Sequence, residues 1–227
     1  MLVLAAGPSA AADDTIVVKA QRLVDDAAIT VEAVDRAVLQ AAPDLASALT
    51  TSPSIDIVTP GAAGATEIFL RGGDANFTAV TLDGVRLNDV TDSRGGAVDV
   101  GAIAPFEVGT ASIAKGAISV LEGSDALSGE IALESADPLD IGRATAMIDA
   151  GEGGRYSLNG RVVPWRGDKA ALSVTGTRFD LGDAPGGQGF TRSSLGAKLA
   201  GTAGSGSWSV AARHGETSRE AFADASG

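Results

Sequence analysis

Apolar and polar side chains alternate most strictly in residues 143–227. Ala144, Ala146, Ile148 and Ala150 alternate with Arg143, Thr145, Met147 and Asp149. Tyr156, Leu158, Gly160 and Val162 alternate with Arg155, Ser157, Asn159 and Arg161. Ala170, Leu172 and Val174 then face away from Lys169, Ser173 and Thr175. The same period returns at Leu195, Ala197 and Leu199, and again at Trp208, Val210 and Ala212. In an extended chain, residues two apart share a face, so the pattern predicts five strands, each apolar on one side and polar on the other. The predicted connections are short at 151–154, 164–168 and 204–206, and long at 181–191. Tyr156 and Trp165 bracket one strand. Their odd separation puts them on opposite faces unless Pro164 shifts the register.

The preceding residues show mixed periods. Residues 28–31 suit a strand, and Val34, Val38 and Leu39 recur at helical spacing until Pro43 stops them. Asp44 is a candidate N-cap for a second short helix carrying Leu45, Ala48 and Leu49. Pro53 ends that helix, and Ile55, Asp56, Ile57 and Val58 read as a strand. In the next strand Ile68 and Leu70 share a face, opposite Glu67, Phe69 and Arg71, before Gly72-Gly73 breaks it. Thr78 to Leu82 resumes, Asp83-Gly84 supplies a two-residue hairpin turn, and Val85 to Leu87 returns. The reading is an α+β unit, a small mixed sheet with short helices, followed by antiparallel strands.

Composition divides the chain at the same place. It has 227 residues, no Cys, one His and a net charge of −12. Residues 1–137 carry 20 acidic and 7 basic side chains, whereas 138–227 carry 9 and 10. Acidity argues against a nucleic-acid partner, since phosphate binding needs clustered Lys and Arg. Without cysteine there are no disulfides, thiolate metal sites or thiol catalysis. His214 has no Ser/His/Asp set or metal-ligand spacing around it, so the chain is read as a non-enzyme with no metal site and no cofactor. Residues 1–12 resemble the tail of a secretory signal, apolar and then small.

Two linked motifs carry a resemblance. Ile68-Phe69-Leu70-Arg71-Gly72 and Val80-Thr81-Leu82-Asp83-Gly84-Val85 are similar to the signature of the plug domain of TonB-dependent outer-membrane receptors. Residues 113–123 resemble the last plug signature, with Glu122 where a basic residue is usual. The resemblance implies a partial signal peptide at 1–12, a TonB-box segment at 13–26, a plug at 27–137 and the first barrel strands at 138–227. Five strands cannot close a plugged barrel, so the expected fold is a plug with antiparallel transmembrane β-barrel strands, the barrel incomplete.

Asp14, Thr15, Ile16, Val17 and Val18 stand where this family has its TonB box, a β-prone run suited to strand addition on TonB. The same run also suits an ordinary first strand. Arg71, Gly72, Asp83 and Gly84 are the plug-motif residues, and Arg71 is expected to pair with an acidic residue of the barrel wall. The loops at 59–66 and 88–96 become ligand-facing. They offer Thr59, Gly61, Gly64 and Thr66 from the first, and Asn88, Asp89, Thr91, Asp92, Ser93 and Arg94 from the second. The implied function is TonB-driven uptake of a scarce small-molecule ligand, such as a siderophore or cobalamin, across the outer membrane of a Gram-negative bacterium. The implied partners are TonB, the ligand and outer-membrane lipid. A periplasmic plug-like module or non-transporting remnant is the alternative, and the rear alternation also suits a soluble sandwich.

Overall fold

In the computed structural model, described residues are 2–4, 30–53, 55–59, 64–89, 91, 95–116, 126–183 and 188–220. The proposed TonB box, Gly61, Asp92, Ser93, Arg94 and Glu122 lie outside them, as does most of 1–12.

Strand β1 (Leu2–Leu4) is followed among the described residues by β2 (Thr30–Val34). Asp35 ends β2 and starts helix α1 (Arg36–Ala41), its carboxylate accepting from the Ala37 amide at 2.7 Å. Val34 therefore belongs to the strand, although its spacing to Val38 reads as helical. Asp44 caps α2 (Leu45–Leu49) as expected, accepting from the Ser47 amide at 2.7 Å. An Asp at this position satisfies an amide that has no partner inside the helix.

Strands β3 (Ile55–Val58) and β4 (Glu67–Leu70) form an antiparallel pair of their own. Arg71 and Gly72 then take positive φ, at 55° and 73°, and a single 3-10 turn at Ala75–Phe77 redirects the chain. As a result β5 (Thr78–Leu82) joins a different sheet from β4, although both are close in sequence. Asp83 (φ 50°) and Gly84 (φ 78°) make the tight turn into β6 (Val85–Arg86). Strands β7 (Val108–Lys115) and β8 (Gly129–Ser135) complete a sheet of order β2-β7-β8-β5-β6, in which β5 and β8 run parallel. Leu39, Leu45, Leu49, Leu70, Ile113, Ile131 and Leu133 are fully buried between this sheet and the helices. Lys115 is also buried and pairs with Glu32 of β2 at 2.8 Å.

All five rear strands are present: β9 (Ala144–Ala150), β10 (Tyr156–Arg166), β11 (Ala170–Asp180), β12 (Gly189–Ala203) and β13 (Gly206–Glu220). They form an antiparallel meander, with β1 on the outer edge of β9 and, among the described residues, β13 as an open edge. Pro164 lies within β10 instead of opening a turn. Val162 faces Val174 but Trp165 faces Leu172, so three steps on β10 match two on β11. This bulge accommodates a residue without an amide and brings Trp165 onto the face of Tyr156 and Val162. Tyr156 and Trp165 are then eight steps apart on the neighbouring strand, a rise of roughly 20 Å for strands tilted about 40°.

The polar face of these strands is the covered one. Arg161, Ser173, Thr175, Thr177, Arg192 and Ser194 are buried, whereas Ile148, Leu158, Val162, Leu195 and Val210 are exposed on the other side. Polar inside and apolar outside is the arrangement of a wall that meets lipid, and it excludes the soluble sandwich.

Gly109 sits where the β7–β8 register shifts, and a Cβ there would lie 2.5 Å from the Ala136 Cα. Gly109→Ala is expected to destabilise by about 1–3 kcal/mol through backbone displacement. Gly160→Ala, with nothing within 4 Å, is the neutral control. Thermal unfolding of both variants measures the difference.

Candidate functional site: the seam between the sheets and its apical cavities

The acidic front unit meets the basic inner face of the strands through paired charges. The Asp83 carboxylate, held by the hairpin turn, accepts from the Ser135 amide (3.0 Å), the Ser135 hydroxyl (2.7 Å) and Lys198 Nζ (3.0 Å). Lys198 also donates to the Ser135 carbonyl at 2.9 Å, tying β12 to the end of β8. Higher on the wall, Arg213 Nε donates to Glu107 at 2.8 Å, and the Ser194 hydroxyl donates to the other oxygen of that carboxylate. Arg219 bonds Asp99, whose second oxygen accepts from the amides of Thr66 (2.9 Å) and Gly101 (3.0 Å).

Other wall arginines serve backbone carbonyls. Arg161 donates to the Phe106 carbonyl and lies 4.9 Å over its ring. Arg192 Nη1 donates to the carbonyls of Gly101 (2.7 Å) and Ile103 (3.1 Å), and Arg166 to those of Pro138 (2.7 Å) and Ile141.

The polarity is the reverse of the expected pair. Arg71 is exposed at its turn and makes no ion pair among the described residues. The carboxylates come from the front unit and the cations from the wall. Asp83 was read as a turn residue, and it is that, but it is also the anchor for Lys198. Glu107 and Asp99 were not singled out. Glu107 is the only charged residue between Val100 and Ala114, and that isolation was the available signal.

The two predicted loops behave differently. Thr59, Gly64 and Thr66 border a cavity of about 160 Å³ that Phe179, Phe190 and Arg192 complete. The Thr59 and Thr66 hydroxyls lie 3.0 Å apart. In the second loop Asn88 is occupied by backbone: it accepts from the Val80 amide (2.8 Å) and donates to the carbonyls of Thr78 (3.0 Å) and Gly96 (2.9 Å). Asp89 accepts from the Thr91 amide (2.9 Å) and hydroxyl (2.6 Å). Asn88 therefore holds the loop closed, a role its side chain fills by mimicking backbone.

A second cavity of about 290 Å³ adjoins the first, sharing Pro43, Phe179 and Arg192, and adds Gln40, Arg155, Ser157 and Asn159. Both open at the end of the wall that carries the long β11–β12 connection. A third, of about 340 Å³, lies beside Asp83, Lys198 and Arg213, under the tip of the β5–β6 hairpin.

Burial alone would raise the Asp83 pKa. The hydrogen bonds from Ser135 and Lys198 outweigh it and hold the value below its ordinary 3.8. Stability from this contact is therefore complete above pH of about 3.8 and is lost as pH falls through the lower value in the folded protein. An Asp83→Asn variant is expected to lose that acid limb and to release the hairpin to protease at neutral pH. Lys198→Asp should weaken the seam by roughly 2–5 kcal/mol, and the exchanged pair Asp83→Lys with Lys198→Asp should recover part of it. Limited proteolysis and acid unfolding in detergent read both effects.

Comparison with known proteins agrees with this geometry. Residues 24–130 match the family model described as the TonB-dependent receptor plug domain. The vitamin B12 transporter BtuB of Photobacterium profundum is 30% identical over 141 residues, which is 60% of this chain and 22% of that protein. The ferric-catecholate import receptor Fiu of E. coli K12 superposes with a TM-score of 0.64 at 22% identity, covering 86% of this chain and 28% of the receptor. The FrpB iron transporter of Neisseria meningitidis gives 0.65 at 18% identity, covering 86% and 33%. The chain spans about a fifth of the length of the curated relatives it matches (22% and 21%). Residues 24–130 thus match the TonB-dependent receptor plug domain, and the chain has the fold of the corresponding part of these solved receptors.

Proposed function

We propose that this chain is the plug and adjoining wall of a TonB-dependent receptor in the outer membrane of a Gram-negative bacterium, importing a scarce small-molecule ligand. One observation carries the reading: a plug with its own apolar core is held to a polar wall by separable ionic contacts, with two adjoining cavities at the end of that seam where the long β11–β12 connection lies. Ligand enters at the end bordered by Thr59, Gly64 and Thr66, where the long connection places the outside of the cell. Gly61, Asp92, Ser93 and Arg94 belong to the same two loops in sequence. TonB pairs with Asp14 to Val18 and pulls, and the plug shifts along the wall to open a path. No covalent bond is made or broken. The apolar outer face, with Ile148, Leu158, Val162 and Trp165, meets lipid.

Strand addition needs backbone amides, and proline removes one. Ile16→Pro is therefore expected to abolish capture of the chain by an immobilised TonB C-terminal domain, while cavity geometry and heat-modifiable migration stay unchanged. Equal capture of the proline variant would refute the assigned TonB box.

A further inference from the structure

Inside the plug, Lys115 is 4% exposed, and its ammonium holds two partners. It donates to Glu32 at 2.8 Å and to the Pro53 carbonyl. The Ser52 hydroxyl donates to the same Glu32 oxygen. These bonds hold the Glu32 carboxyl below its ordinary 4.5, so it is charged at neutral pH. One buried cation thus ties three segments that are far apart in sequence: β2, the end of β7 and the turn that follows α2. A desolvated ammonium is tolerated only while such partners stay within reach, so displacement of one segment draws on the others.

Among the described residues β2 is an edge strand of five residues that pairs only with β7. Its first residue, Thr30, lies opposite Lys115, so a pull from the chain before β2 meets the sheet at that point. So short a strand has few backbone bonds with which to resist, and the Glu32 anchor adds a charge-assisted one. Beyond the tie, Pro53 leads into β3, which pairs only with β4 among the described residues. At the far end of that ribbon Val58 faces Glu67. Their chain neighbours Thr59 and Thr66 border the smaller apical cavity. The ribbon therefore runs from the loaded edge of the sheet to the ligand end.

We infer that Lys115 is a positioning residue: it passes displacement of β2, received through Glu32, to the β3–β4 ribbon and so to the Thr59–Thr66 border of the cavity. This rests on the receptor reading and adds the route by which a pull on the chain reaches the ligand end. Lysine suits the task, since three donors on a flexible stem can hold a carboxylate and a carbonyl at once. The link runs both ways. Contacts that shift the ribbon act on β2 with the same coupling free energy, because coupling between two sites is reciprocal.

The test follows amide hydrogen exchange of the intact chain in detergent, in peptides covering β2, β3 and β8. The Glu32 side chain is 31% exposed, so Glu32→Gln leaves no buried gap. This variant is expected to speed exchange in β2 by about fivefold or more, and in β3 by a comparable factor, with β8 unchanged. In a Lys115→Met background the same change should no longer reach β3, and Lys115→Arg should restore the link. Faster exchange in β8 as well marks a merely structural role and overturns the assignment. So does β3 exchange that ignores Glu32→Gln, or that follows it equally in the Lys115→Met chain. The first of these needs only the Glu32 variant, so the test holds even where Lys115→Met fails to fold. Capture by an immobilised TonB C-terminal domain separates the two ideas. Coupled exchange without capture keeps the tie and loses the TonB role, whereas capture with uncoupled strands keeps the role and loses the tie.

Discussion

A carboxylate taken out of water at an interface is tolerated only where a cation and further donors meet it, and the seam between plug and wall is built on that requirement. Asp83, Glu107 and Asp99 each receive one wall cation together with hydroxyl or amide donors. None of the three pairs could form within one unit, because every carboxylate comes from the plug and every cation from the strands. The charge difference between the two halves of the sequence is the compositional trace of this division. It also explains why the polar face of the strands turns inward: that face is where the counter-charges are.

The wall contributes to the local structure of the plug as well. Residues 99–107 contain two short 3-10 turns, whose carbonyls cannot all be satisfied inside such brief helices. Arg192 takes Gly101 and Ile103, Arg213 reaches Ala102 at 3.3 Å, and Arg161 takes Phe106. Guanidinium groups suit this work because their donors fan out in one plane and stay charged when half-buried. The segment that bears Asp99 and Glu107 is thus shaped by the surface on which it rests.

Local features were legible in the sequence. The Asp44 cap, the Asp83-Gly84 turn and the five alternating strands follow from short-range chemistry, and so does the dependence of Trp165 on a register shift at Pro164. What could not be read was partnership. Period two assigns a face to each strand residue but says nothing about which strand lies alongside, so the separation of β4 from β5 and the parallel β5–β8 pairing were hidden. The same holds for charge. Glu107 and Asp99 found cations more than a hundred residues away. Asn88 was chosen for its polarity, which the backbone of its own loop consumes.

The two kinds of cohesion differ in how they fail. The apolar cluster runs from Val34 to Leu133 and includes no residue of the wall. Each fully buried Leu or Ile in it contributes about 1.5–3 kcal/mol, and exposing them is opposed by water. The seam is polar, so water that enters it replaces lost hydrogen bonds and offsets part of what each broken pair costs. A load applied to the plug through the chain before β2 therefore meets two barriers of different character. Sliding the plug along the wall exchanges ionic contacts for hydrated ones, whereas unravelling it exposes hydrocarbon. The exchange is the easier step, and a plug held this way yields at its boundary before it yields within.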